Sequence, residues 1–402
     1  NGRYGYAHLF DVSGANHAVS QALSVAKASP SISGFSLPSA QKTNPVDGML
    51  DEAILKLSPD DLLTQGDNLI SEVASLDDRA VVIGGGIGIG AEASVMLSSQ
   101  GIEASGISTS HGLGVQVSID VDDQMTSSWE SSSSRKLIEG IPDCVATAVE
   151  WAQKTRNPIE IKSEAQDTPV IMTSQGISSL FSNIIRPSIL GERMVRGESY
   201  WSGKLNEVVL DNHLTMMDDR RMEGGFGSGS RDAEGVPTSC QTIIENGTLR
   251  KMLWSSRDAA KNVSEGRIDF AESTGSASRG SHMSPPVTGC GDVHLLTSKP
   301  PMSLDEMIET MGTGYVIHSV MGAHTANPTS GDFSVTSSTV LRIEEGEILG
   351  PIKQAGVSGN LFKALSKEVS LGHSSTRNGV SSTGTNHLSN VLFAQGMRIN
   401  PA

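Results

Sequence analysis

Aromatic residues, cysteines and long apolar runs are all scarce in this 402-residue chain. Phe, Trp and Tyr make up 4% of it while glycine contributes 43 residues, a balance that favours many strands joined by turns. The cysteines are few and widely spaced (Cys144, Cys240 and Cys290), which excludes a disulfide framework or a zinc knuckle. No apolar run approaches the roughly 20 residues that span a bilayer, so we expect no membrane segment.

Positive charge is also in short supply. The chain has 30 Lys and Arg against 45 Asp and Glu, a net charge of -15. Such a surface repels phosphates, so we expect neither nucleic acid nor an anionic membrane as a partner. The first residues show no basic region followed by an apolar core, which argues against a secretion signal. These features together predict a cytoplasmic protein.

The length suits two or three domains, and the patterns predict an α+β fold in two lobes, an N-terminal α/β lobe and a strand-rich C-terminal domain. Residues 1–45 are expected to hold the end of a first domain, whose start is missing, and a linker rich in serine and proline. Residues 46–165 are predicted to be a central mixed α/β domain. Residues 166–402 are predicted to be the strand-rich domain, because strand and turn signals are dense after residue 200.

Hydrophobic spacing locates the main elements. Helical spacing is found over 15–27, 47–76 with a break at Ser58-Pro59, 136–154, 174–185 and 304–311. Strands are predicted over 3–11 and 333–343, and the second continues through a tight turn at Glu345-Gly346 into 347–352. Residues 127–134 are interpreted as a serine-rich loop.

A glycine-rich stretch over 80–91 permits two interpretations. Gly86, Gly88 and Ala91 fit the spacing of a dinucleotide-binding fingerprint, with Glu103 as a ribose ligand. The competing interpretation is a glycine-rich strand in a meander. The second is favoured, because the alternating helices of a doubly wound sheet do not follow.

Several polar groups could carry chemistry. His318 or His324, with Asp332, could hold a metal or serve a hydrolase, and Asp232 and Glu234 could act as paired carboxylates. Each also has a plain structural interpretation, since Asp and Asn in turn-rich segments commonly bond to nearby backbone groups. The loop 324–334 adds Asn327 to this set of candidates.

Four motifs, in order, resemble the TldD/PmbA family of peptidases. They are Asp232-Ala233-Glu234-Gly235, the segment Ser273 to Arg279 with Ser276 where the family has Asn, the helix and glycine segment 304–314, and Gly331-Asp332-Phe333-Ser334 with its following hairpin and Gly359-Asn360 turn. The resemblance implies a TldD/PmbA-type C-terminal domain and a role in proteolysis of unfolded peptides.

The chain departs from the active family members at one place. These carry H-E-x-x-x-H on the helix that corresponds to 174–198 and a later cysteine, which together bind zinc. Here 174–198 has no histidine, and no cysteine follows Cys290. The chain therefore resembles the TldE (PmbA) branch, which lacks the metal motif and pairs with a TldD subunit.

The resemblance implies a non-catalytic subunit with no cofactor of its own, a TldD-like partner that holds the zinc, and a homodimer when alone. An autonomous hydrolase and a homodimeric peptide-binding module remain alternatives. The candidate peptide-chamber residues are Asp232, Glu234, Arg279, His324, Asn327, Asp332 and Phe333.

Overall fold

The computed structural model describes residues 2–121, 124–161, 168–373, 376–381 and 384–401. Its α-helices are α1 Ala15–Ala28, α2 Pro59–Leu76, α3 Asp143–Lys154, α4 Ser174–Leu180, α5 Arg186–Ser188, α6 Gly191–Val195, α7 Ser256–Ser264, α8 Leu304–Met311 and α9 Leu361–Ala364. A π-helical turn, Phe181–Ile185, joins α4 to α5. Short 3-10 helices lie at Val12–Gly14, Ile54–Lys56 and Ala323–Thr325.

The strands fall into two groups along the chain. The first group is β1 Ala80–Leu97, β2 Glu103–Val121 and β3 Gln124–Ser134. The second begins with β4 Val170–Met172, β5 Leu214–Asp219, β6 Cys240–Glu245, β7 Thr248–Leu249, β8 Ala277–Ser278, β9 Val287–Thr288, β10 Asp292–Thr297 and β11 Gly314–Ile317. It ends with β12 Asp332–Ser337, β13 Val340–Glu344, β14 Glu347–Ile352, β15 Ala355–Asn360, β16 Val369–Leu371, β17 Thr376–Ser381, β18 Gly384–Leu388, β19 Val391–Phe393 and β20 Met397–Pro401.

The sheets confirm the α+β prediction and the strand-rich C-terminal region. One three-stranded sheet has the order β1-β2-β3. Beyond residue 168 there are two six-stranded sheets, β17-β18-β10-β5-β6-β7 and β14-β13-β11-β4-β19-β16, with a three-stranded sheet β12-β15-β20 and the small pair β8-β9. Most pairs are antiparallel, while β4 and β10 pair in parallel with β11 and β18 respectively.

Two amphipathic helices cover one face of the first sheet. Helix α2 is capped by Ser58, whose hydroxyl accepts a hydrogen bond from the Asp61 N–H while the Asp61 carboxylate accepts one from the Ser58 N–H. Val73 of α2 and Val145 of α3 pack with Val117 and Ile119 of β2 in one core cluster. In this core cluster, residues of α2 and α3 pack against one face of the sheet.

The glycine-rich stretch lies inside β1 and is antiparallel to β2, with Gly86 opposite Gly114. The dinucleotide fingerprint is therefore wrong, because the glycines open no helix whose N-terminus could receive a pyrophosphate. The strand interpretation is confirmed.

Five local predictions need correction. Residues 127–134 belong to strand β3, because the long edge of β2 supplies backbone partners that outweigh the low strand preference of serine. Residues 3–11 form only an isolated bridge between Arg3 and Ser31. The predicted helix start at Ser58-Pro59 is confirmed, but the helical stretch predicted before it has only a 3-10 helix at Ile54–Lys56, and the helix predicted from 136 begins at Asp143. The strand predicted over 333–343 is two strands in different sheets, since β12 pairs with β15 and β13 with β11 and β14.

The large C-terminal core encloses the segment from Ser174 to Ser188. Ile177, Leu180 and Phe181 have no solvent-exposed surface and pack with residues of both six-stranded sheets. At Gly176 an added Cβ would lie 2.8 Å from the Ile317 carbonyl oxygen, so glycine permits this close approach of helix and strand. Within the described ranges, no helix is long and apolar enough to cross a membrane.

Candidate functional site

The segment Ser174–Ser188 is the centre of the candidate site, and its shape is unusual. Thr173 caps α4 by accepting a hydrogen bond from the Gly176 N–H, and the π-helical turn then interrupts the helix. A π turn closes i to i+5 bonds, so side chains five positions apart can share a face there. That is the spacing of the two histidines in the pattern H-E-x-x-x-H, and residues 174–198 of this chain contain no histidine.

Four polar residues, which we call the Arg186 cluster, join this helical segment to the neighbouring sheet: Ser178, Ser182, Arg186 and Asn386. The Asn386 side-chain amide donates to the Ser182 hydroxyl at 2.7 Å and the Ser178 hydroxyl at 3.2 Å. The Arg186 guanidinium donates to the Asn386 side-chain oxygen at 3.2 Å. It also donates to the backbone oxygens of Cys290, Gly291 and Thr385, each at 3.1 Å.

A buried carboxylate, that of Asp292, lies on β10, which is the neighbour of β18 in the same six-stranded sheet. Asp292 accepts hydrogen bonds from the Thr385 hydroxyl at 2.7 Å and the Ser228 hydroxyl at 3.0 Å. Burial raises the pKa of Asp292, but the nearby His387 imidazole and the hydrogen bond from Thr385 outweigh it and bring the pKa to about 2. The carboxylate is therefore charged at neutral pH.

Two stacked imidazoles flank that carboxylate. The rings of His294 and His387 lie 4.3 Å apart and nearly parallel, and the His387 Nε2 atom is 3.9 Å from Asp292. Burial, followed by the nearby charge of His387, lowers the pKa of His294 to about 4. His294 is therefore neutral at pH 7.

Zinc does not fit the Arg186 cluster. Its donors are two hydroxyls and an amide, whereas zinc is bound by thiolate, imidazole and carboxylate. The Arg186 guanidinium also places a fixed positive charge where a cation would lie. The nearby Cys290 donates its thiol to the Arg186 carbonyl, and burial raises its pKa to about 12, so it stays protonated. Among the residues that the structure describes, no group of three His, Cys, Asp or Glu side chains is arranged to hold a metal.

A cleft of about 600 Å³ lies between strand β3, helix α3 and the start of α4. His318 lies at its base, with Nε2 at 2.5 Å from the Glu130 carboxylate and Nδ1 at 3.1 Å from the Thr173 hydroxyl. Trp151 stacks on the His318 ring at 4.0 Å. The cleft wall includes Ser131, Ser132, Ser133, Gln175 and Asn390.

The predicted carboxylate pair has structural contacts. Asp232 accepts hydrogen bonds from the backbone N–H groups of Glu234, Val236 and Ala277. Glu234 accepts from the N–H groups of Ser256 and Arg257 at the start of α7. Burial raises the pKa of both carboxyls, and the charge of Asp232 adds to the effect on Glu234. The pair shapes a turn and caps a helix.

The other predicted residues lie on separate elements. The Arg279 guanidinium lies 5.6 Å from the Tyr6 ring. The Asn327 side-chain oxygen accepts from the N–H groups of Thr329 and Ser330, Asp332 accepts from the Asn360 amide at 2.7 Å, and Phe333 is buried. His324 is exposed, and within the described residues no hydrogen bond joins it to His318.

Sequence reasoning missed the Arg186 cluster and the partner of His318. Glu130 lies in the segment 127–134, which the sequence indicates as a loop, and Asn386 is 200 positions from Arg186. One signal was available, since Arg186 is the single charged residue between 174 and 188, and a buried cation needs acceptors around it.

Comparisons with known proteins agree with this architecture. A family model for the PmbA/TldA metallopeptidase C-terminal domain matches residues 165–395. The crystal structure of TldE from Thermococcus kodakarensis superimposes with a TM-score of 0.87 and 25% identity, covering 99% of this chain and 88% of that one.

Two relatives in sequence are informative. An uncharacterized protein of Methanocaldococcus jannaschii is 26% identical over 332 residues, which cover 82% of this chain and 74% of that protein. The metalloprotease PmbA of Escherichia coli O157:H7 is 27% identical over 213 residues, 53% of this chain and 42% of that protein.

Proposed function

Because the chain belongs to the PmbA/TldA metallopeptidase family, we propose that it is a TldE-like subunit that works beside a zinc-bearing TldD-like chain and performs no metal chemistry itself. One observation carries the proposal, the Arg186 cluster on the helical segment to which the family resemblance assigns the zinc motif of active members. Its guanidinium satisfies backbone oxygens of Cys290, Gly291 and Thr385, so it is part of the packed interior.

We propose that the cleft beside β3 receives an extended, unfolded peptide. Strand β3 is an edge of its sheet, so a peptide strand can pair with it beyond the Trp129 carbonyl, which already accepts a hydrogen bond from the Gln175 amide. Ser131, Ser132 and Ser133 line the cleft with small side chains, which leave room for many peptide side chains. Backbone pairing together with small walls suits substrates that differ in sequence.

The test is reconstitution with a TldD-like chain. We expect no hydrolysis of a reduced, unfolded protein by this chain alone, and hydrolysis by the mixed complex that exceeds that of the partner alone. Ser132→Trp should fill the cleft and reduce turnover, whereas Met125→Trp on an exposed part of the same strand should not. Equal turnover with and without this chain would refute the proposal.

The loop 324–334 remains a secondary part of the proposed chamber. His324→Ala and Asp332→Ala are expected to reduce turnover by the complex without dissociating it. If both variants keep full turnover, the loop is only a structural turn, which the Asn327 and Asp332 hydrogen bonds already support.

A second candidate function, an autonomous hydrolase, is favoured by the His318 geometry alone. A hydroxyl, an imidazole and a carboxylate are connected in the order of a nucleophile, a base and an orienting acid. The Thr173 hydroxyl is also 2.9 Å from the His318 carbonyl oxygen and caps α4. Loss of activity of the isolated chain in Thr173→Val, but not in Thr325→Val, would support this candidate.

A further inference from the structure

A pocket of about 450 Å³ lies between helix α2, strand β2 and the segment 138–141. Its apolar lining includes Leu69 and Leu113, which are buried, and Ile138, which packs on the same core cluster. Small-molecule sites in proteins commonly have volumes of roughly 300 to 1,000 Å³ and a mostly apolar lining with a few polar groups. Neither the β3 cleft nor the Arg186 cluster shares a residue with this pocket.

His111 of β2 brings a fully buried imidazole to the pocket. Its Nδ1 atom accepts a hydrogen bond from the Ile138 N–H at 3.0 Å. A neutral imidazole has one acceptor nitrogen and one N–H group, so an Nδ1 atom that accepts leaves the proton on Nε2. Burial lowers the pKa of His111, which keeps the ring neutral at pH 7. The ring therefore offers the pocket one N–H donor.

Gln65 of α2 brings an acceptor to the same pocket. Its Oε1 atom and the His111 Nε2 atom are both buried, and neither has a hydrogen-bond partner among the residues that the structure describes. Buried polar atoms in proteins are almost always paired, because an unpaired one lowers the free energy of unfolding. A donor and an acceptor of this kind beside an apolar wall are what a ligand with one polar end requires.

Charge decides which kind of ligand suits this pair. Glu72 is the one charged side chain among the described residues that line the pocket. Its carboxylate and the Gln65 oxygen both repel an anionic group, while the His111 N–H repels a cation at the donor. A group that accepts at one atom and donates at the next, without net charge, fits both partners. The carboxamide is the simplest such group.

We propose that this pocket binds a small uncharged molecule in which a carboxamide is attached to an apolar group. The carboxamide oxygen accepts a hydrogen bond from the His111 Nε2–H, and its N–H donates to the Gln65 Oε1 atom. The apolar group packs against Leu69, Leu113 and Ile138. The inference stands apart from the proposed function, because none of these residues takes part in it.

The two hydrogen bonds set specificity more than affinity. A ligand of about ten heavy atoms buries little surface, so we expect a dissociation constant on the order of 1 mM. A ligand that leaves one of the two buried atoms unpaired should bind roughly ten-fold more weakly. The test therefore compares related ligands rather than relying on one affinity.

Phenylacetamide is the probe, and its two charged analogues, phenylacetate and phenethylamine, are the controls. The full chain is prepared with isotope-labelled histidine, and the ring signals of His111 are identified by NMR as those missing from His111→Gln. We expect these signals to show the Nε2–H tautomer and to shift saturably with phenylacetamide, but not with either analogue. N,N-dimethylphenylacetamide keeps the carbonyl but has no N–H, so it should bind roughly ten-fold more weakly.

Two matched substitutions on α2 separate the pocket from the rest of the surface. Ser71 lines the pocket and Thr64 does not, yet each donates its hydroxyl to the carbonyl four residues earlier. Ser71→Trp should fill the pocket and abolish the response to phenylacetamide, whereas Thr64→Trp should leave it unchanged. Gln65→Leu should weaken phenylacetamide roughly ten-fold and remove its advantage over the dimethyl analogue.

Several results would overturn the inference. These are the lack of a saturable shift with phenylacetamide well above the expected dissociation constant, a shift that Ser71→Trp does not change, and equal binding of phenylacetate. A change of the His111 ring signals in ligand-free Gln65→Leu, with no response of the wild-type chain to phenylacetamide, would show that the two side chains bond to each other in solution. That outcome would also overturn it while leaving the proposed function standing.

Discussion

Val117 and Val95 lie on the same β1–β2 hairpin, yet Val117 has no exposed surface and Val95 is 73% exposed. Val117 packs with residues of α2 and α3 in one core cluster, whereas Val95, near the end of β1, is not part of that cluster. The C-terminal region shows the opposite case, in which polar side chains lie in the interior. Arg186 and Asn386 are polar, but Arg186 donates hydrogen bonds to the Gly291 carbonyl and to the Asn386 side-chain oxygen. The contrast teaches that local residue type does not decide exposure. The neighbouring elements decide it, and function is best sought where polarity and environment disagree.

Arg186→Met should have the largest effect on stability. It leaves the backbone oxygens of Gly291, Cys290 and Thr385 without their donor, so we expect the free energy of unfolding to fall by about 3 kcal/mol or more. Denaturant unfolding measures this. Arg250→Met is the matched control, because its ion pair with Glu245 is exposed and should contribute at most about 1 kcal/mol. Equal effects of the two substitutions would show that the Arg186 cluster is not structural.

As the pH is lowered, His294 should affect the free energy of unfolding at a higher pH than Asp292 does. The folded pKa of His294 is lowered to about 4, so between about pH 6.5 and 4 the unfolded state binds a proton that the folded state does not. Stability is therefore full above that window and falls as the pH drops through it, by up to about 3 kcal/mol. His294→Gln should flatten unfolding free energy against pH in this window.

Asp292→Asn provides the complementary test. The folded pKa of Asp292 is about 2, below its usual value, so its contribution is present above about pH 4 and lost as the pH falls toward 2. The variant should therefore change the pH dependence only below about pH 4. If Asp292→Asn alters the pH dependence of the unfolding free energy between pH 6.5 and 4 as much as His294→Gln does, the two groups do not act independently.

The Glu130–His318 pair should couple the first sheet to the C-terminal region. A double-mutant cycle with Glu130→Gln and His318→Gln should give a coupling of about 1–3 kcal/mol, since the pair is enclosed and stacked by Trp151. The exposed pair Glu306–His373 is the control and should give less than about 1 kcal/mol.

The smallest expected change in unfolding free energy is that of Val95→Ala, compared with Val117→Ala on the same hairpin. Val117→Ala should cost about 2 kcal/mol through lost burial and a cavity. Val95→Ala should stay within about 0.5 kcal/mol at concentrations where the chain is monomeric. A comparable loss at Val95 in dilute protein would mean that another part of the chain covers Val95.

The sequence predicted features that depend on neighbouring residues. Ser303 caps α8 with Glu306 in a capping box, and the Asn246-Gly247 turn joins β6 to β7, and both patterns can be read from a few adjacent residues. Features that depend on distant residues could not be found in this way. Arg186 and Asn386 are 200 positions apart, and Glu130 and His318 are 188 apart. Strand β3 was missed because its serines are strand residues only in the presence of β2.

The measurement that tests the central claim most directly is the zinc content of the purified chain, determined by elemental analysis after dialysis, alone and in complex with a TldD-like chain. We predict that zinc in the complex follows the partner and that this chain alone carries none in stoichiometric amount, because its helical segment offers hydroxyl, amide and guanidinium groups. Zinc sites in proteins are tight enough to survive such handling. About one tightly held zinc per isolated chain would contradict the account.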